Sequence, residues 1–471
     1  MFLSYLRCPY KARLLLEGQS GQPTDYETLI AEFDSSYKTL ARAEVCRECP
    51  SVAAGTDRAD NWSIGRGGPP LMLDTQIEHD PFEFSFDALK RATDGPKGEH
   101  RCLPVIFSRN DRVLAPEELL LAFGGYVLGL FGGSYPDTGI IIHGPKFSFK
   151  TVRLAPKYPT IERIAAELSS LSTSKRRPPL VLNSHCRACE FQPSCMAEAK
   201  EQDNLSLLHR MTEKTIRQYN SKGIFTVSQL SYTFHPRRKS KRAKARGRPH
   251  SFPLQAMAIR DQKVYVLAPP ALPSADTQAF IDMEGDLDGR FVYLIGLLVV
   301  QGDRETCHSF WADTREDEAV IFEQLDRALS RLTGAHLFHY GSYESRVLKR
   351  AGSRSAAQSN PSLLVSTRST NLLSQIYSRT YFPTYSNSLK DIAAYLGHSW
   401  GTPGSTGLQA MVWRSRWEST RDSMLKAKLI EYNLDDCRAL KRLGVCRNEN
   451  ADQRRINDIQ AFGDPQRLVS C

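Results

Sequence analysis

Three stretches of this 471-residue chain place carboxylates where a hard metal ion could be held. Asp282 and Glu284 stand two apart in FIDMEG, and a strand there aims both side chains from one face. Glu344 follows the apolar run HLFHY, at the start of a helical stretch, and Asp436 lies in EYNLDDCRAL, four residues after Tyr432 on a later helix. Two Mg²⁺ or Mn²⁺ ions roughly 3.5–4 Å apart need such an oxygen-rich cage to clamp the attacking and leaving sides of a phosphodiester. Asp435 is the rival neighbour of Asp436, and the helix turns it elsewhere. Asp286 and Asp288 read as turn residues and Asp391 as an early-helix acid.

The elements that must position these acids alternate between strand and helix over residues 276–445, an α/β pattern. Gln278–Glu284 reads as a strand, Gly285–Gly289 as a turn, and Phe291–Val300 as the returning strand, with a third at Thr306–Trp311. Ile321, Leu325, Leu329 and Leu332 give helical spacing over Glu316–Leu332. A short strand at His336–Tyr340 and helices at Tyr343–Arg350, Leu389–Leu396 and Met424–Leu443 complete the region.

These residues resemble the DEDD exonucleases. FIDMEG is similar to their D-x-E motif. FHYGSYE is similar to the second motif through His339, Tyr340, Tyr343 and Glu344, with Glu where the family usually has Asp. YNLDD matches the tyrosine form of the third motif, Y-x-x-x-D, which selects Asp436. With NSLKDIAAYLG, the region resembles the YprB-type RNase H-like domain. The resemblance implies two Mg²⁺ or Mn²⁺ ions on Asp282, Glu284, Glu344 and Asp436, with Tyr432 orienting the attacking water.

Residues 1–200 end in Cys186-x2-Cys189-x5-Cys195, a spacing typical of metal ligands. Cys8, in YLRCPYKARLLLEG, is the candidate fourth ligand; Cys46 and Cys49, in a polar stretch, read as free thiols. One cysteine near the start and three near the end resemble the RecB-like iron–sulfur nucleases, and SYLRCPYKARL resembles their opening helix. The resemblance implies a structural [4Fe–4S] cluster on Cys8, Cys186, Cys189 and Cys195, while the spacing leaves Zn²⁺ open. FEFSFDALKR supplies the family's Asp as Asp87, but the next strand, Cys102–Phe107, has neither Glu nor Lys, and no Q-x-x-x-Y follows. The expectation is a degenerate restriction-endonuclease-type domain that binds DNA or braces the protein.

Residues 201–275 form a connector. Leu205–Leu230 reads as two helices about a turn at Gly223, similar to a helix–hairpin–helix or a plain packed hairpin, with strand-like runs at Leu254–Ile259 and Val264–Leu267. Eight of the ten net positive charges lie in Pro236–His250, on Arg237, Arg238, Lys239, Lys241, Arg242, Lys244, Arg246 and Arg248. That stretch suits a polyanion, or a solvated linker. Residues 446–471 are a polar tail to which no element is assigned.

With 41% hydrophobic and 24% charged residues the chain reads as globular, and eleven cysteines, an odd number, argue against a disulfide framework. MFLSYLRCPY lacks the pattern of a signal peptide, and the longest apolar run, Phe291–Val300, is about half of what a bilayer needs. A cytoplasmic protein without membrane partners is expected. The functions expected are a metal-dependent nuclease, a 3′–5′ exonuclease on DNA rather than RNA by resemblance, or a non-catalytic nucleic-acid-binding scaffold. Protein partners in a repair, defence or mobile-element complex are compatible with either.

Overall fold

Local chemistry sets the first elements. In this computed structural model, helix α1 (Phe2–Arg7) stops at Cys8, where the backbone is extended (φ −162°, ψ 107°), and α2 (Pro9–Leu16) restarts with proline at its first position. A residue before proline is disfavoured in a helix, so the single opening helix expected here is two. The structure describes residues 1–48, 52–53, 70–91, 102–235, 249–268, 270, 272–332, 334–357, 368–444 and 460–462. The basic run 237–248 and Cys49 lie outside them. The chain divides into two units, Met1–Pro193 and Ser194–Cys471.

The first unit has a six-stranded sheet in chain order: β1 (Val52–Ala53), β2 (Leu71–His79), β3 (Phe82–Arg91), β4 (Cys102–Ser108), β5 (Thr138–His143) and β6 (Ser148–Arg153). Strands β2, β3 and β4 are antiparallel, and β4 and β5 are parallel. A parallel pair requires a crossover, and α4 (Ala115–Gly132) supplies it. This helix and α5 (Tyr158–Thr173) share an apolar core with Ile77, Phe86 and Ile141, while Ala41 and Val45 of α3 (Asp25–Glu48) pack with Leu73, Ala88 and Val105.

In the second unit α6 (Glu213–Asn220) and α7 (Val227–Ser231) flank a turn in which Gly223 takes φ +77°. Val227 and Leu230 pack on α8 (Phe252–Asp261). Helix α8 corrects the strand expected at Leu254–Ile259. LQAMAI alternates like a strand, but Ser251 caps Leu254 N, Pro253 sits in the first turn, and the run is rich in helix formers. Gln255, buried, donates to Phe382 O at 2.6 Å and Thr384 O at 2.8 Å. Strand β7 (Val264–Val266) forms as expected.

The main sheet of this unit joins β8 (Thr277–Gly285), β9 (Val292–Gln301), β10 (Arg304–Trp311), β11 (His336–His339) and β12 (Ser369–Asn371) in the order β10-β9-β8-β11-β12. The first three are antiparallel, and β8, β11 and β12 are parallel. Helix α9 (Glu318–Ser330) covers one face, where Ile321 and Leu325 meet Ala279 and Ile281. On the other face Cys437, Leu440 and Leu443 of α13 (Ser423–Gly444) pack on Phe280, Leu298 and Phe338. The intervening helices are α10 (Tyr343–Ala357), α11 (Leu389–Tyr395) and α12 (Gly407–Thr420). Strand β7 also pairs with β13 (Thr380–Tyr381) and β14 (Gln460–Phe462), so the tail contributes a strand that its polar composition did not announce. Burial on both faces explains the unbroken apolar run of β9. Both units are mixed α/β. No described helix is long and apolar enough to cross a membrane.

Candidate metal centre

Even-numbered residues of β8 face α13. Phe280 packs under that helix, and two and four residues on, Asp282 and Glu284 reach its flank near the carboxyl end of the strand. Asp436 of α13 completes the group: ligand oxygens of Asp282, Glu284 and Asp436 all lie within 4.8 Å of one another. Among the described residues, no other set of three or more His, Cys, Asp or Glu is this tight.

The close approach of α13 depends on a small residue in the partner strand. Gly296 pairs with Asp282 across β8 and β9, and a Cβ at Gly296 would run into Asn433 Oδ1 and come within 3.1 Å of Cys437 Sγ. Glycine lets Asn433, fully buried, donate from Nδ2 to Asp282 Oδ2 at 2.6 Å. From the loop after α11, Trp400 Nε1 donates to Asp436 Oδ1 at 2.7 Å. Gly401 N donates to Asp435 Oδ2 at 2.9 Å, and Arg438 binds the other oxygen of Asp435 at 2.7 Å. Asp435 thus anchors the loop and stands outside the tight set of three acids. Tyr432, buried, hydrogen-bonds Asp436.

Glu344 begins α10 and is 5% exposed. It stands outside the tight set, with Oε2 3.7 Å from His339 Nδ1, yet its charge acts on both Asp282 and Glu284. Its Oε2, the Asn433 Oδ1 and the Tyr343 hydroxyl are buried without a hydrogen-bond partner. Orphaned polar atoms around a carboxylate cluster ask for a cation or ordered water. Asn433, Trp400 and Lys390 were not singled out from the sequence. Asn433 carried a signal, three residues before Asp436 and so on the same helical flank.

Burial raises all three acids, and neighbouring carboxylates add to it while Asn433, Trp400, Tyr432 and Lys390 oppose it. Asp282 is held well above the ordinary carboxylate range by burial, then by the charges of Asp436, Glu284 and Glu344, against the Asn433 hydrogen bond. Glu284 is pushed up to about 8 by burial and Asp436, with Lys390 opposing. Asp436 rises to about 6 by burial, against Trp400, Lys390 and Tyr432. Burial pushes Tyr432 far above the usual phenol range, so it keeps its proton. Hard divalent cations prefer carboxylate oxygens and would relieve this repulsion, so the donor set fits Mg²⁺ or Mn²⁺.

The sign of the pH effect follows. These carboxyls hold protons more tightly folded than unfolded. They favour the fold below their ordinary values near pH 4 and weaken it as pH rises through about 6 to 8. A cation binds the deprotonated set and restores what is lost. Saturating Mn²⁺ should raise the melting temperature of the second unit by about 5 °C or more near pH 8, and far less near pH 5.5. Calorimetry with and without EDTA reads this, and equal shifts at the two pH values would contradict it.

The first unit carries no such centre among its described residues. Asp87 Oδ2 accepts from Phe107 N at 2.7 Å, and its Oδ1 is paired with Lys38 of α3 at 2.6 Å. Strand β4 offers Asp87 no carboxylate or lysine. Cys8 Sγ accepts from Lys11 N at 3.4 Å. Asn183 bridges nearby, donating to Arg7 O at 3.1 Å and from its own N to Cys186 Sγ at 3.3 Å. The Cys8, Cys186 and Cys189 thiols act on one another in sequence, Cys8 on Cys186 and Cys186 on Cys189, and burial pushes the latter two up. Cys195 is buried on the helix Gln192–Glu201.

Residues 279–447 match the family model of the RNase_H superfamily. This region has an RNase H-like, nuclease-type fold, and its acidic triad could bind metal. No curated protein matches the chain.

Proposed function

We propose that the second unit is a metal-dependent nuclease, a 3′–5′ exonuclease on DNA. The observation that carries this is the trio Asp282, Glu284 and Asp436, gathered within 4.8 Å in an RNase H-like fold. Asp282, Glu284 and Asp436, with Glu344 behind them, would hold two Mg²⁺ or Mn²⁺ ions. When bound, the cations supply Lewis-acid charge for the attacking and the leaving oxygen. Asn433 and Trp400, by binding Asp282 and Asp436, would hold these carboxylates in place for the ions. Tyr432, protonated and bonded to Asp436, orients the attacking water rather than taking its proton. The water oxygen attacks phosphorus as the P–O3′ bond breaks, the water proton passes to solvent, and the departing O3′ takes a proton from solvent to become the 3′-hydroxyl. Cleavage by the wild-type chain that needs a divalent ion and is lost in Asp282→Asn tests the proposal.

The first unit is read as a degenerate RecB-like domain that supports this activity. Its helix, three antiparallel strands, helix and parallel strand are consistent with the restriction-endonuclease order, while the pairing of Asp87 with Lys38 leaves no metal cage there. We expect Asp87→Ala to cleave within about twofold of wild type and to destabilise this unit by roughly 1–3 kcal/mol, because Phe107 N–H loses its acceptor. Cleavage lost in Asp87→Ala with the second unit still folded would place an active centre here. For the cysteines we favour a [4Fe–4S] cluster on Cys8, Cys186, Cys189 and, from the spacing, Cys195. The cysteine spacing by itself also suits Zn²⁺. Visible absorbance bleached by dithionite would mark the cluster, and stoichiometric zinc without colour would replace it.

A further inference from the structure

We propose that Lys390 is a catalytic residue of this centre, its ammonium group contacting a non-bridging oxygen of the scissile phosphodiester; this rests on the nuclease reading above. Ser388 caps α11 by accepting from Asp391 N at 3.1 Å, which fixes Lys390 at the second position of the helix. The Lys390 stem then reaches across to the carboxylates. Its Nζ donates to Ser405 O and lies 4.6 Å from the Tyr432 ring centre and 5.2 Å from that of Trp400. Both rings belong to residues hydrogen-bonded to Asp436.

The Lys390 charge acts on Asp436, Glu284 and Asp282, yet among the described residues it forms no ion pair. Ring faces and one carbonyl hold an ammonium in place without neutralising it, and two of its three N–H donors remain for another acceptor. A phosphate oxygen beside the acids is that acceptor: the carboxylates alone would repel the substrate, and a fixed cation there stabilises charge as it grows on the phosphoryl oxygens.

The competing role is a counter-charge that only quiets the carboxylates, and metal affinity separates the two. Lys390→Met keeps the apolar stem on the rings and removes the charge. At saturating Mn²⁺ we expect it to lower kcat by about 10²-fold, while Mn²⁺ affinity by calorimetry stays equal or tightens because a nearby positive charge is gone. Lys390→Arg should recover part of the rate. Wild-type kcat in Lys390→Met with tighter Mn²⁺ overturns the proposal. Thymidine 5′-monophosphate titrated with Mn²⁺ reads the same contact without turnover: Lys390→Met should weaken it about tenfold, and unchanged affinity also overturns it. If wild type binds the monophosphate through Lys390 but cleaves nothing, the nuclease reading fails and this contact stands.

Discussion

Asp282→Asn and Asp436→Asn should each lower nucleic-acid cleavage by about 10³-fold or more, since each takes a charged ligand from a metal cage whose remaining members cannot replace it. The amide keeps the size of the carboxyl and an oxygen for the Asn433 or Trp400 donor. Removing one charge from three crowded carboxylates, two half-buried and one buried, also relieves repulsion, so the metal-free variants should melt no lower than wild type near pH 8. Activity is thereby separated from folding. Single-turnover rates beside melting curves check both, and a variant that unfolds would mean that these acids hold the structure rather than the chemistry. Substrate affinity should hold or tighten, because a negative charge facing phosphate has gone.

The second large effect concerns grip rather than chemistry. Substituting serine or glutamine for Arg237, Arg238, Lys239, Lys241, Arg242, Lys244, Arg246 and Arg248 removes eight positive charges from one short stretch. If all eight neutralise phosphates, the slope of log affinity against log salt should fall in magnitude by about 7 for duplex DNA, and affinity at low salt by at least about 10³-fold. Fluorescence anisotropy with labelled DNA across a salt series reads the slope. An unchanged slope would make the stretch a solvated linker. The catalytic rate at saturating substrate should not move, since the carboxylates lie in other elements.

Much of the carboxylate cluster was legible because it rests on local periodicity. The two-residue step from Asp282 to Glu284 sets them on one strand face, and the helical turn separates Asp436 from Asp435. Lys390 and Trp400 were not legible, and Asn433 only by its helical flank beside Asp436, because their roles come from contacts between segments far apart in sequence. Asn433 reaches Asp282 only because Gly296, on another strand, leaves room, and the run FVYLIGLLVV gave no sign of that. The helix at Phe252–Asp261 was misread for the opposite reason. A short alternating pattern is ambiguous, and the cap at Ser251 and the packing of Leu254 and Ala256 decide it. Glu344 was rightly expected at the head of a helix near the acids, but its distance from the tight set could not be read from a motif.

The most direct test is cleavage of end-labelled single- and double-stranded DNA and RNA by the wild-type chain in Mg²⁺, Mn²⁺ and EDTA, beside Asp282→Asn and Asp87→Ala. The account predicts nucleotide release from 3′ ends of DNA in either metal, none in EDTA, none with Asp282→Asn, and near wild-type release with Asp87→Ala. Substrate bound but left intact by the wild-type chain under every metal condition would contradict it and leave a nucleic-acid-binding scaffold.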